Sequence, residues 1–193
     1  MRSVKERKIS FHTLIKRTWK THDEEAYVMI LDVIKFVLKL KKLERHYELK
    51  DSKFCFLEHA RIEKSSDDSI AISGFFKSAR HKFRPNLVDK VTGDERKSPK
   101  RITEGDIEKT HFSIKICSEE VFLSLEVNGN GITINQLVNY FQSFSKLYSL
   151  EKKLKKGYSI IFTKVGRGDF LDAVKKMKRA RIAESKPSGN CIL

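Results

Sequence analysis

The sequence predicts an α+β chain, with an antiparallel sheet, two amphipathic helices and a C-terminal β-turn-α unit. Three observations predict it. Apolar and polar residues alternate through successive short stretches divided by polar turns, the period of half-buried strands. Thr21 and Thr133 each stand three places before a Glu or Gln and open a run of helical period. No stretch approaches the ~20 apolar residues that span a bilayer. The opening MRSVKERKIS lacks the apolar core of a secretory signal. The expectation is a cytoplasmic protein with no membrane partner.

A chain of 193 residues makes one large domain or two small ones. With 39% hydrophobic residues and 13 Phe, it can bury a core. Residues 8–19 partly alternate and predict a first strand. The capping box at Thr21 and Glu24 starts a helix whose stripe runs through Tyr27, Ile30, Leu31, Ile34, Val37 and Leu38. Met29, Val33, Phe36 and Leu40 widen that stripe, so the helix is expected to be covered on more than one side.

After Arg45 the period changes to two. Residues 46–50, 53–62 and 69–77 read as an antiparallel meander. Residues 78–107 hold two of the three prolines and many charges, and read as a long basic loop of a size that is usually functional or mobile. THFSIKI (110–116) and EVFLSLEV (120–127) form a hairpin. The second capping box, Thr133 and Gln136, opens a helix through Val138, Phe141, Phe144, Leu147 and Tyr148, with Ile132 and Leu137 placed as a hydrophobic staple. Residues 1–150 thus form an α+β domain. Residues 151–181 form a basic β-α extension, with strand YSIIFT (158–163), a turn at Gly166 and Gly168 and a short helix from Asp169. That unit is too small to bury much alone, so it either belongs to a longer protein or completes the first sheet. Residues 182–193 lack periodicity and read as a disordered tail. Cys55 and Cys117 sit in apolar strand patterns and read as buried thiols.

The formal net charge is +15, and it is unevenly placed. Residues 77–101 carry nine basic and three acidic side chains, and residues 152–181 carry eleven and two. Residues 102–151 carry three and seven. Such asymmetry points to a polyanion partner, with nucleic acid the first choice. The candidate phosphate contacts in the loop are Arg80, Lys82, Arg84, Lys97, Lys100 and Arg101. Beside the second helix end they are Lys152, Lys153, Lys155 and Lys156, which also complement the helix dipole. On the last helix they are Lys175, Lys176, Lys178 and Arg179. Phe83 either stacks on a base or anchors the loop. No zinc-finger, basic-zipper or RNA-recognition pattern is present, so recognition is expected to be backbone-directed and sequence-tolerant.

Two other readings compete. Glu104, Asp106, Glu108, His111 and Glu126 gather acids near a histidine, the chemistry of a nuclease dependent on Mg²⁺ or Mn²⁺. In that reading His111, Glu108 and Glu126 are catalytic; otherwise no cofactor is expected. Alternatively, the basic surface meets an acidic protein. The turn Asn128-Gly129-Asn130-Gly131 lacks the Gly-Lys-Ser/Thr ending of a phosphate loop. It reads as a left-handed bend joining strand to helix, where Asn and Gly tolerate positive φ.

The order GFFKSARHKFRPNLVDKVTGDERK, EGDIEKTHFSIKI and EVFLSLEVNGNGITINQLVNYF resembles the N-terminal part of uncharacterised bacterial and phage proteins. More remotely it is similar to the RexA-like phage-exclusion proteins. The pieces that carry it are Pro85, Leu87 and Asp89, the run EGDIEKTHF and the turn NGNGI, and it spans roughly residues 45–180. The resemblance implies sequence-tolerant binding to double-stranded DNA in phage defence. It also implies that this chain is the front half of a longer protein, since it ends in SKPSGNCIL where such proteins continue. A homo-oligomer stays open at this stage.

Overall fold

The computed structural model describes residues 7–14, 25–64, 69–117, 120–154 and 162–164. The elements run β1 (Lys8–Leu14), α1 (Glu25–Lys39), a 3-10 turn (Lys42–Arg45), β2 (Tyr47–Glu48), β3 (Lys53–Lys64), β4 (Ile70–Arg80), β5 (Leu87–Val88), β6 (Glu95–Arg96), β7 (Glu108–Ile116), β8 (Val121–Val127), α2 (Ile134–Glu151) and β9 (Phe162–Lys164). Among the described residues the main sheet is ordered β2-β3-β4-β7-β8-β1-β9, and β5 pairs with β6 alone. Every pairing is antiparallel. The fold is α+β, as the alternation predicts.

Three of the neighbour pairs in the sheet are not sequential: β4/β7, β8/β1 and β1/β9. The loop after Arg80 returns the chain to the same sheet, so β4 and β7 lie side by side from Ile70 against Ile116 to Ser78 against Glu108. The first strand lies beyond β8, with Ile9 opposite Glu126 and Phe11 opposite Ser124. β9 pairs with β1 through Thr13 and Thr163, so this C-terminal strand completes the main sheet. The rest of the expected extension, with Lys155, Lys156, Lys175, Lys176, Lys178 and Arg179, lies outside the described residues. So do the expected helix start at Thr21 and the tail.

Strand alternation sets two faces. In β7, Thr110, Phe112, Ile114 and Ile116 are buried, while Lys109, His111, Ser113 and Lys115 are exposed or half-buried. The buried set meets the helices. From α1, Ile30, Val33, Ile34 and Val37 are buried, at the spacing of one helical face, and Leu31 is covered as well. From α2, Leu137, Tyr140, Phe141 and Phe144 are buried. The Phe76 ring lies 4.9 Å from Tyr140, 5.5 Å from Phe112 and 5.7 Å from Phe141. The Tyr140 hydroxyl accepts from the Leu57 N–H at 3.2 Å and donates to the Arg45 carbonyl at 3.0 Å, so its polar atom is satisfied. Burial pushes its pKa up.

The capping box at α2 forms as the sequence predicts. Thr133 Oγ1 accepts from the Gln136 N–H at 3.3 Å, and Gln136 returns a bond to the Thr133 N–H at 3.0 Å. A β-bulge at Leu57/His59 inserts Glu58 into β3. Arg45 reaches this point: its guanidinium donates to the carbonyls of Leu57 (3.5 Å) and Glu58 (3.4 Å), and to that of Leu38 at 2.7 Å. Cys55 is a free, fully buried thiol, and burial raises its pKa to about 12. Cys117 is half-buried and packs beside Phe122. No helix among the described residues is long and apolar enough to cross a membrane.

Candidate nucleic-acid interface

The segment after β4 has structure of its own. Asp89 accepts from the Val91 and Thr92 N–H groups at 2.7 and 3.0 Å, which closes a turn. These backbone bonds hold the Asp89 carboxyl below its usual range. Gly93 completes the turn at φ 78°, where only glycine is unstrained. Two-residue strands then pair across it, Leu87 with Arg96 and Val88 with Glu95. The rest of the loop is tied back by Lys82 N–H to the Ile102 carbonyl (3.0 Å) and His81 N–H to the Ser52 carbonyl (2.8 Å). Gly105 packs against the Arg80 backbone so closely that a Cβ there would overlap it.

Most of the predicted loop cations stay at the surface. Arg80, Lys82, Arg84, Lys97 and Arg101 are exposed. Lys100 is half-buried and pairs with Asp106, and Arg101 Nε stands 4.0 Å from Glu104. The Arg80 guanidinium lies 6.0 Å from the Phe83 ring, so this exposed ring is a cation-π partner of its own loop. Lys152 caps the C-terminus of α2 and lies 3.5 Å from Glu151. Lys153 takes φ 52° just beyond. This pair sits on the helix layer, so it does not share a face with the groups on the opposite side of the sheet.

That opposite side gathers His111 with rings that the sequence reading did not place beside it. The register sets His59 opposite Phe75, and Phe75 opposite His111, in one row across β3, β4 and β7. Phe75 is 6.4 Å from His59 and 5.7 Å from His111, and Lys109 Nζ lies 5.7 Å from its ring. Nearer the β2 edge, His46 stacks at 5.0 Å on Phe54 and 4.7 Å on Phe56. Lys42 Nζ lies 5.5 Å from the Phe56 ring. His81, the first residue of the loop, is 6.1 Å from Phe54. The same face is closed at β8, where Phe122 and Ser124 are buried. Alternation at 69–77 and 110–116 was visible in the sequence; the strands extend beyond it, to Arg80 inside the expected loop and back to Glu108, and their adjacency was not visible.

Two carboxylates sit among these groups. Glu126 is buried, and it accepts from the His111 N–H at 3.0 Å and from Arg7 at 2.7 Å. Its other contact is His111 Nδ1 at 2.7 Å. Glu58 holds Lys77 at 3.0 Å and Lys42 at 3.2 Å. Burial would raise the pKa of either, but the bonds from His111 and Arg7 outweigh it at Glu126, and those from Lys77 and Lys42 outweigh it at Glu58. Both carboxyls are therefore held below their usual range. A carboxyl depressed in the folded state stabilises fully above its unfolded pKa, near 4.3, and loses that contribution as pH falls through the folded value. Unfolding stability is expected to drop between about pH 5 and pH 3. In urea melts, Glu126→Gln should flatten that drop; an identical acid limb would refute the assignment.

The acid-histidine group expected for Mg²⁺ or Mn²⁺ is only partly assembled. His111 and Glu126 meet, but Glu108 is an odd number of residues from His111 and lies on the helix side, where Asn128 donates to it at 3.3 Å. Asp106 and Glu104 are engaged by Lys100 and Arg101. Among the described residues no three His, Cys, Asp or Glu groups are placed to hold a metal ion.

The Asn128–Gly131 turn also differs from expectation. None of its residues takes positive φ; among the described residues that region is used by Asp51, Ser52, Lys82, Gly93 and Lys153. Gly131 is small for another reason, since a Cβ there would collide with the Thr110 hydroxyl. That hydroxyl accepts from the Ile132 N–H at 3.0 Å. Asn128 Oδ1 accepts from the Asn130 N–H at 3.1 Å, and Lys53 donates to the carbonyls of Asn130 and Gly131. These bonds consume the polar groups of the turn in structure. No protein-family model, no curated protein and no solved structure matches this chain.

Proposed function

We propose that the chain is a sequence-tolerant nucleic-acid-binding module. The observation that carries this reading is the concentration of cations in residues 77–101, nine against three acids, on a segment that folds with Arg80, Lys82, Arg84, Lys97 and Arg101 exposed. A polyphosphate backbone is the ligand whose affinity grows with such a surface, through release of its counterions. The resemblance of residues 45–180 to RexA-like proteins implies double-stranded DNA and a place in phage defence; the loop charge by itself favours neither duplex nor single strand.

The test is a titration of labelled nucleic acid at several salt concentrations. If about six cations meet phosphates, log affinity falls against log salt with a slope near −5, at ~0.9 per phosphate. Replacing Arg84, Lys97 and Arg101 together by Gln should reduce the slope by about three. No binding at ~50 mM salt would refute the proposal, because the phosphate term is strongest there.

A further inference from the structure

We infer that the sheet face around the half-buried rings of Phe54 and Phe75 is a stacking platform for single-stranded nucleic acid, which names the ligand class for the nucleic-acid reading and rests on it. Binding a single strand without sequence preference needs two things together. Ring faces must be available for bases, and ammonium or guanidinium groups must stand between them for phosphates. This face interleaves both. The β3–β4–β7 row presents His59, Phe75 and His111 as direct cross-strand partners. The second cluster, His46 stacked with Phe54 and Phe56, lies toward the β2 edge. Lys77 is the cross-strand partner of Phe56, so it lies between the two clusters.

The charge on the face complements a polyanion. Arg7, Lys42, Arg61, Lys77, Lys109 and Lys115 stand against Glu48, Glu58, Glu63 and Glu126. Glu58 is neutralised by Lys42 and Lys77, Glu63 by Arg61 and Glu126 by Arg7, while Glu48 lies 3.6 Å from His81. Among the described residues no carboxylate pairs with Lys109, which lies beside the Phe75 ring. Both α-helices pack on the other side of the sheet; on this side the 3-10 turn brings Lys42 and His46 against Phe56, and the Phe75 row lies beyond them. His81 joins the second cluster to the loop, which makes the basic hairpin a continuation of the same path for the backbone.

A duplex cannot use such a surface. Its bases are paired and stacked on each other, and exposing a π-face requires unpairing. The aromatic content of the face therefore selects for single strands, while the loop cations alone would not discriminate.

The experiment is fluorescence anisotropy with the full chain at one fixed salt concentration. The probes are an all-thymidine DNA strand, an all-uridine RNA strand and a hairpin duplex carrying the same number of phosphates. At least one single strand is expected to bind about tenfold tighter than the duplex; the DNA and RNA arms show which sugar is accepted. Phe75→Ala should lower single-strand affinity about tenfold, the scale of one lost base stack, and leave duplex affinity and the salt slope unchanged. Phe75→Tyr keeps a ring and should restore binding. Lys109→Ala should instead reduce the salt slope by about one. A merely structural role for Phe75 would lower both affinities together, and that outcome overturns the inference. Equal or tighter duplex binding overturns it too, while leaving the nucleic-acid reading intact. Failure of all three probes to bind overturns both.

Discussion

Phe76→Ala is expected to destabilise the fold by about 3–5 kcal/mol, the range for removing a fully buried aromatic ring. The ring has no solvent exposure and contacts Phe112 on the next strand and Tyr140 and Phe141 on α2. Those partners cannot all collapse inward. Tyr140 is fixed by its bonds to the Leu57 N–H and the Arg45 carbonyl. Moving it into the hole would orphan a buried amide, which costs about 1–3 kcal/mol more. The cavity should therefore persist. Urea denaturation checks this: the midpoint should fall with the m-value unchanged. A loss below about 1 kcal/mol would mean that Phe76 is not the junction between sheet and helix.

Gly74→Ala is the second large effect, expected at about 3 kcal/mol, the upper end for overpacking. A Cβ at Gly74 would overlap the His59 carbonyl oxygen and stand 3.0 Å from Ala60 Cα. Both obstacles are backbone, so no side chain can swing aside. The close approach has a visible cause. The bulge inserts Glu58 and shifts the register, so that Ala60 faces Gly74 and His59 faces Phe75. Gly74 does not take positive φ, so alanine meets no conformational penalty there and the cost is steric. Thermal melts should show the loss, and changes at β3 amide resonances around His59 should accompany it. An unchanged melting temperature would place the bulge elsewhere.

Much of the fold was legible because it depends on local chemistry. The alternation of 110–116 gives β7 its two faces, and Thr133 with Gln136 marks the start of α2. The helix stripe through Ile30, Ile34 and Val37 is the face that the sheet buries. The loop hairpin was not legible, because strands of two residues have no period to detect. The Asn128–Gly131 turn was misread because Gly serves two purposes: it permits positive φ, and it also permits close approach, which is its use beside Thr110. The sheet-face cluster was hidden for a different reason. Phe75, His59 and His111 come from three strands, and one of those joins spans the whole loop. A bulge also changes which side of β3 a residue occupies, so His59 shares a face with Phe54 although five positions separate them. Strand order and register had to be known before these rings could be placed together.

The long third strand has only two residues of partner on its outer side, Tyr47 and Glu48 against Cys55 and Phe54. Beyond them, among the described residues, β3 is the free margin of the sheet. Such a margin is a template on which another chain can zip. Here three devices spoil the template. Arg45 occupies the carbonyls of Leu57 and Glu58, the bulge breaks the spacing that a new strand would have to match, and Arg61, Glu63 and Lys64 charge the remainder. The exposed margin along β3 is thus poorly matched to a pairing strand, which disfavours edge-to-edge association there.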